Sequence, residues 1–358
     1  MSQLAAPDAP QDHYTQEFGM LKGIDLWEDQ GPAFGRNGTY GGYMYSDRAV
    51  AAIRAHNDTE TPFFAYVAFQ NTHVPLQVPA QYVDGSVEPE DRALYYGMTA
   101  FMDEAVGNIT TALREAFAWE DTLIVFAADN GGDITAAGCN YPKRGSKYSD
   151  FEGGVATAAF VSGGFVPEVA RGGSTDQMVH VADWWRTIAE LAGVTPGEDG
   201  LVAGSQGDDV PKPDSVNVWQ AVSQPGGLSG RTEVPVSENT LIMGHMKLVT
   251  HESDGEKDKH NSWTPATWPK GRLEPGPACK PCLFNLTADP EERHDLSGDP
   301  SFASELSTMQ QRLAYWRGTA WESSKAAFAG PYTRCTTNDA FKASHRGFVG
   351  PLCTKPTI

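Results

Sequence analysis

The chain has 358 residues, 40% of them hydrophobic and 10% aromatic, with a formal charge of −19. That length exceeds the usual single core, so one large domain with a smaller companion is expected. The charge argues against general binding to nucleic acid or anionic membrane, because phosphates would be repelled over the whole surface, and an anionic substrate would need a local basic pocket. No run approaches the ~18 uninterrupted apolar residues of a membrane span.

The N-terminal stretch Met-Ser-Gln-Leu-Ala-Ala-Pro-Asp has neither the basic start nor the apolar centre of a signal peptide. Yet Asn37, Asn57, Asn108 and Asn285 each open a glycosylation acceptor pattern, which matters only in a secretory compartment and is weak taken singly. Phe63 to Gln70 reads as a buried strand, ending in a polar loop that carries His73. From about Glu90 to Phe117, Leu94, Met98, Phe101, Ala105, Ile109 and Leu113 recur at helical spacing. Thr122 to Ala128 is again a buried-strand run. A strand, helix and strand so connected predict neighbouring parallel strands with a right-handed crossover.

Val155 to Ser162 is a further strand, and Asp176 to Ala192 an amphipathic helix stopped by Gly193. Residues 194 to 232 have a linker's composition, with a short helical insert from Val218 to Val222. Beyond lie an exposed strand from Leu241 to Thr250, a charged segment from His251 to His260 that reads as a solvated loop, a strand from Cys282 to Leu286, and a helix from Ser301 to Arg317 ended by Gly318. The expected division is an α/β domain over residues 1–232 and a small α+β domain over 233–358.

Five cysteines, Cys139, Cys279, Cys282, Cys335 and Cys353, leave one over however they pair. Cys279-Lys-Pro-Cys282 lacks the second close pair of a zinc ribbon, so a local disulfide or plain thiols fit it better than zinc.

Chemistry gathers where the second buried run stops. Asp129 and Asn130 supply hard oxygens of the kind calcium or magnesium takes, at a strand's C-terminal end, where open α/β sheets bind ligands. The bland alternative is an ordinary Asn-Gly turn. His73 follows the other predicted strand and is expected at the same sheet edge. Lys147, in a turning loop with Lys143 and Arg144, would bring cations to that edge, and an acidic protein that concentrates cations there is suited to receive an anion.

Phe63 to Pro79, the run Tyr96 to Val106, Asp-Asn-Gly-Gly at 129–132, Arg-Gly-Ser-Lys at 144–147 and Phe-Glu-Gly-Gly at 151–154 together resemble the type I sulfatases, nearest arylsulfatase B. Leu283-Phe-Asn-Leu with Asp289 to Leu296 is similar to an element of that family's C-terminal domain. The resemblance implies an alkaline-phosphatase-like α/β fold and sulfuric ester hydrolysis on a sulfated sugar, in the lysosome or outside the cell. It implies that Asp129 and Asn130 are calcium ligands, that Lys147 binds the sulfate, and that His73 contacts the ester and protonates the leaving alcohol.

The chain departs from the family in one respect above all. The attacking formylglycine is made from a cysteine in a C-x-P-x-R motif, and no such run occurs here: Cys279-Lys-Pro is followed by Cys282 and then Leu283, not arginine. The aspartate pair expected after an N-terminal strand is also missing, Asp208-Asp209 standing in the linker instead. These absences predict a fold lacking its N-terminal strands, a chain inactive by itself, and weak calcium binding through an incomplete ligand set. They favour a piece of a longer sulfatase over a shortened, non-catalytic binder of sulfate or glycan. A phosphoryl-transfer relative fits less well, because the extra Asp and His ligands of zinc-dependent relatives cannot be placed. Oligomeric state and specific substrate are not legible.

Overall fold

The computed structural model describes residues 26–29, 31–36, 38–56, 61–116, 119–194 and 214–320. Asn37, Asn57, Asp208, Asp209, Cys335 and Cys353 lie outside them. The chain divides into two compact units, one comprising Met1–Ala116 with Ala320–Ile358 and the other Phe117–Thr319.

In the first unit, β1 (Trp27–Glu28) and β2 (Gly31–Pro32) form a small antiparallel pair, followed by α1 (Gly41–Ala55) and α2 (Glu90–Ala116). α2 follows the apolar spacing closely. Glu90 and Asp91 sit in its first turn and Arg114 in its last, each complementing the helix dipole. Its buried face supplies Leu94, Met98, Phe101 and Ala105 to a core completed by Val78. The Phe101 ring is met edge-on by Tyr40, Tyr43 and Tyr82 at 5.0, 5.0 and 5.5 Å. Gly42 admits that ring, since a Cβ there would stand 2.3 Å from it.

The segment 63–70 corrects the first strand expectation. It forms no strand among the described residues, and Phe64 and Tyr66 are 71% and 85% exposed. An apolar run marks a chain able to enter a sheet but does not supply the neighbouring main chain that a ladder requires.

The second unit opens with β3 (Ile124–Ala127), whose partner is β4 (Ala159–Ser162). The pair is antiparallel, Ile124 facing Ser162 and Ala127 facing Ala159, so the ladder on β3 is not the expected parallel one. Between them lies α3 (Glu152–Val155), a single helical turn at the start of the predicted 155–162 strand. α4 (Asp183–Leu191) begins seven residues later than its apolar pattern suggested. The reason is Asp183, a buried carboxylate that accepts N–H groups from His180 at 2.7 Å and Val216 at 3.0 Å and pairs with Arg231, closing the helix start there. α5 (Trp219–Ser223) matches the predicted insert.

An antiparallel sheet then runs in the order β5 (Glu233–Pro235), β6 (Thr240–Met243), β7 (Met246–Val249) and β8 (Cys282–Asn285). The single exposed strand expected over 241–250 is instead a hairpin, turned at Gly244 (φ 56°), with β7 buried throughout. Leu241, Met246, Leu248 and Leu283 face α6 (Ala303–Thr319), which contributes Met309 and Leu313 one helical turn apart. The opposite face carries Val249, Cys282 and Phe284 against Phe151. Cys279 and Cys282 form a disulfide, one of the two states their spacing left open. No helix among the described residues is long and apolar enough to cross a membrane.

Candidate functional site

β3 delivers Asp129 and Asn130 at its C-terminal end, where the chain leaves the ladder after Ala128 donates to the Ala158 carbonyl at 3.0 Å. Asp129 is exposed and Asn130 half-buried. The Asp129 Oδ1 accepts the Asn130 N–H at 2.9 Å, and Asn130 Nδ2 donates to the Gly131 carbonyl at 3.0 Å. With its donor end tied to backbone, the Asn130 amide keeps its oxygen for another use. A carboxylate and an amide oxygen together fit a hard cation, as two of the six to eight oxygens that calcium takes. Among the described residues no group of three or more His, Cys, Asp or Glu could hold a metal ion.

Two loops are knitted to this strand end. Gly131 N donates to the Gly154 carbonyl at 2.9 Å, and Gly153 N to the Arg144 carbonyl at 2.5 Å. Asn140, which the sequence reading passed over, is the hub. Its Oδ1 accepts from Gly132 N at 2.8 Å, while Nδ2 donates to the carbonyls of Gly132 at 2.8 Å and Gly145 at 3.1 Å. Asp129, Asn130 and Lys147 are thus held in one body through neighbouring backbone.

Lys147 is half-buried, its ammonium 5.3 Å from the centroid of the Tyr148 ring, an ordinary cation–π separation. Arg144 departs from expectation. It does not join Lys143 and Lys147 as a cation facing solvent: it is fully buried, with Nε donating to the Asn261 carbonyl at 3.0 Å and Nη2 to that of Pro277 at 2.5 Å. Phe151 and Trp263 sandwich its guanidinium at 3.7 and 4.7 Å. Burial lowers it to about 10, against the opposing pull of Glu292 and Glu252. Its role is to staple the site loop to the segment 261–277.

That segment also corrects the reading of 251–260 as a solvated loop. Glu252 is half-buried, accepting from Asp150 N at 3.2 Å and Asn261 Nδ2 at 3.0 Å. His260 reaches the residue beside Lys147, its Nδ1 lying 2.8 Å from Ser146 Oγ. Neither contact had a local signal in the sequence.

His73 belongs to the first unit. Its N–H donates to the Gln70 carbonyl at 2.8 Å, and its Nδ1 lies 2.7 Å from the Val74 carbonyl. A carbonyl only accepts, so Nδ1 is the nitrogen that carries hydrogen in this contact. Asn71 anchors the loop to α2 by donating to the Met98 carbonyl at 2.8 Å. Of the acceptor asparagines, Asn108 is exposed on α2, and Asn285 ends β8 with its Oδ1 accepting from Thr287 N and Ala288 N, both at 3.1 Å.

With this geometry in hand, the likenesses to known proteins are specific. Residues 6–194 match the model of the Sulfatase family. The chain is 30% identical over 340 residues to arylsulfatase J of Mus musculus, covering 86% of itself and 54% of that protein. It is 28% identical over 165 residues to N-acetylgalactosamine-6-sulfatase of Rattus norvegicus, covering 45% of itself and 30% of that protein. The chain therefore spans about half the length, or less, of these relatives. Among solved structures, that of Ps i-CgsB in complex with k-i-k-neocarrahexaose superimposes with a TM-score of 0.58 at 24% identity, over 78% of this chain and 55% of that one.

Proposed function

This chain belongs to the sulfatase family and has its alkaline-phosphatase-like α/β fold, and on that premise we propose that it serves sulfuric ester hydrolysis, with sulfated sugars as substrates. The observation that carries the reading is the body in which Asn140 ties the Asp129-Asn130 strand end to the Lys147 loop. Sulfate transfer needs hard oxygens for a metal and a cation for the ester within one rigid frame. The sugar is supported by the relatives, one named for N-acetylgalactosamine and one structure holding a neocarrahexaose. Nearness to arylsulfatase B and a place in the secretory pathway, with Asn108 and Asn285 as glycan acceptors, belong to the same proposal.

In this reading Lys147 binds the sulfate and offsets the charge that grows on it. His73 gives the leaving alcohol a proton, acting as the general acid. Asp129 and Asn130 would hold calcium, which would supply Lewis-acid stabilisation of negative charge on the sulfate.

A second reading is supported by one observation: none of the 358 residues forms a C-x-P-x-R motif. The chain as written then binds a sulfate ester without turning it over. Titration of the purified chain with inorganic sulfate tests what the two readings share. Binding that disappears in Lys147→Ala is expected; undiminished affinity in that variant overturns the proposed site.

A further inference from the structure

We propose that Tyr148, steadied by His260, is the platform on which the sugar ring rests when its sulfate is held by Lys147. The inference builds on the sulfated-sugar reading above and names the surface that would receive the alcohol side of the ester.

Tyr148 stands where tyrosine is least expected. Ser149 N donates to the Ser146 carbonyl at 3.0 Å, closing a turn in which Tyr148 is the third residue, with φ 76°. That position calls for glycine or asparagine, and a bulky residue there is a conformational outlier. Packing does not account for it, since Tyr148 is 70% exposed. A residue that departs from turn chemistry without burying its side chain is a candidate for a functional role.

The ring is nonetheless held. His260 meets it edge-on, centroids 5.1 Å apart with planes at 82°. His260 is fixed in turn from the other side of its ring. Ser146 Oγ donates its one hydrogen to the Lys147 carbonyl at 3.0 Å, so it must accept from His260 Nδ1, 2.8 Å away. With hydrogen on Nδ1, the neutral ring presents Nε2 as a lone pair. Asp133 Oδ1, 4.0 Å from Nδ1, adds a charge on the same side.

The turn and its neighbour therefore display three kinds of chemistry: a cation at Lys147, an exposed aromatic ring at Tyr148 and a hydrogen-bond acceptor at His260. A sulfated sugar is complementary to all three. Its sulfate meets the ammonium, its C–H face covers the aromatic ring, and a ring hydroxyl one ester linkage away donates to Nε2. Inorganic sulfate engages only the first.

The test titrates the full chain with sodium sulfate and with N-acetylgalactosamine 6-sulfate. Tyr148→Gly suits the positive φ, so the turn survives while the platform is removed; Tyr148→Phe keeps the platform. The expected result is a roughly five- to tenfold loss of affinity for the sulfated sugar in Tyr148→Gly, little change in Tyr148→Phe, and sulfate affinity unaltered in both. His260→Ala should follow Tyr148→Gly, weakening the sugar ester and not the inorganic ion. Unchanged sugar-ester affinity in Tyr148→Gly, with both probes weakened by Lys147→Ala, overturns the platform and leaves the sulfate site standing. If Lys147→Ala alters neither probe, or neither binds, both fall together.

Discussion

The α-carbon of Gly131 is seated against the carbonyl of Gly153 so closely that a Cβ would stand 1.7 Å from that oxygen. The strand end bearing Asp129 and Asn130 is therefore docked, backbone on backbone, against the turn that follows the Lys147 loop.

Gly131→Ala should accordingly be among the most damaging small substitutions in the chain. Backbone atoms cannot rotate aside as a side chain would, and the cost should be about 2–4 kcal/mol of stability. Urea denaturation measures it, and a change under ~0.5 kcal/mol would show that the two segments separate readily.

Arg144→Met distinguishes a structural cation from a substrate-facing one. The variant loses the bonds to the Asn261 and Pro277 carbonyls, so a stability loss of about 3 kcal/mol is expected, as for other broken buried charge networks. Sulfate affinity of the folded variant should match that of the parent. A selective loss of sulfate binding, with stability intact, would return Arg144 to the anion site.

No hydrolysis of a chromogenic aryl sulfate is expected from the chain as written, since the nucleophile motif is absent from its sequence. Turnover that vanishes in His73→Ala would contradict this and show that another group attacks sulfur.

Calcium should bind weakly, through Asp129 and Asn130 and the water the ion retains. Calorimetry should therefore give a dissociation constant of order 10⁻⁴–10⁻³ M or weaker, loosened further in Asp129→Ala. Submicromolar affinity would reveal oxygen ligands beyond these two.

Burial holds His180 below the ordinary histidine range, and Arg231 adds to the effect while Asp183 and Asp214 oppose it. Its Nδ1 accepts from Ala182 N at 3.2 Å, which requires a lone pair there. The folded state thus binds this proton more weakly than the unfolded chain. The stability it contributes is complete above about pH 6.5 and is lost as pH falls through the lower folded value. Tm followed over that range should fall on acidification, and less steeply in His180→Gln. Parallel profiles would remove His180 as a contributor.

What could be read from the sequence was local. The apolar run before Asp129 and the spacing along α2 each mark one element, and both elements form there, although β3 is only half-buried, with Ala127 exposed, where a buried strand was expected. Arg144 shows the limit: its carbonyl partners lie 117 and 133 residues further on, so nothing nearby distinguishes it from the half-buried Lys143. His260 is the converse case, a histidine in a charged stretch whose partner Ser146 is 114 residues away. The run 241–250 misled for another reason. Two buried strands and the glycine between them share one apolar signature, and only the turn at Gly244 separates them. α1 was concealed by Gly41 and Gly42, which weaken a helical signal, and Gly42 is needed to clear Phe101.

Lys247 draws these pieces into a single consequence. Its ammonium is fully buried between the carboxylates of Glu152, 2.9 Å away, and Glu292, 2.8 Å away. Burial alone would lower its pKa, but the two carboxylates outweigh it and the net shift is upward. Glu292 also accepts the Glu152 N–H at 2.7 Å, so α3 is fastened to β7 by the ion pair and to the Glu292 carboxylate by its own main chain. The turn that seats Gly131 cannot swing outward without taking one of its two carboxylates from a buried ammonium. Amide protons of Gly131, Gly153 and Gly154 should therefore exchange with solvent on the same slow timescale as those of β7, by one shared opening event and not by fraying of a surface loop.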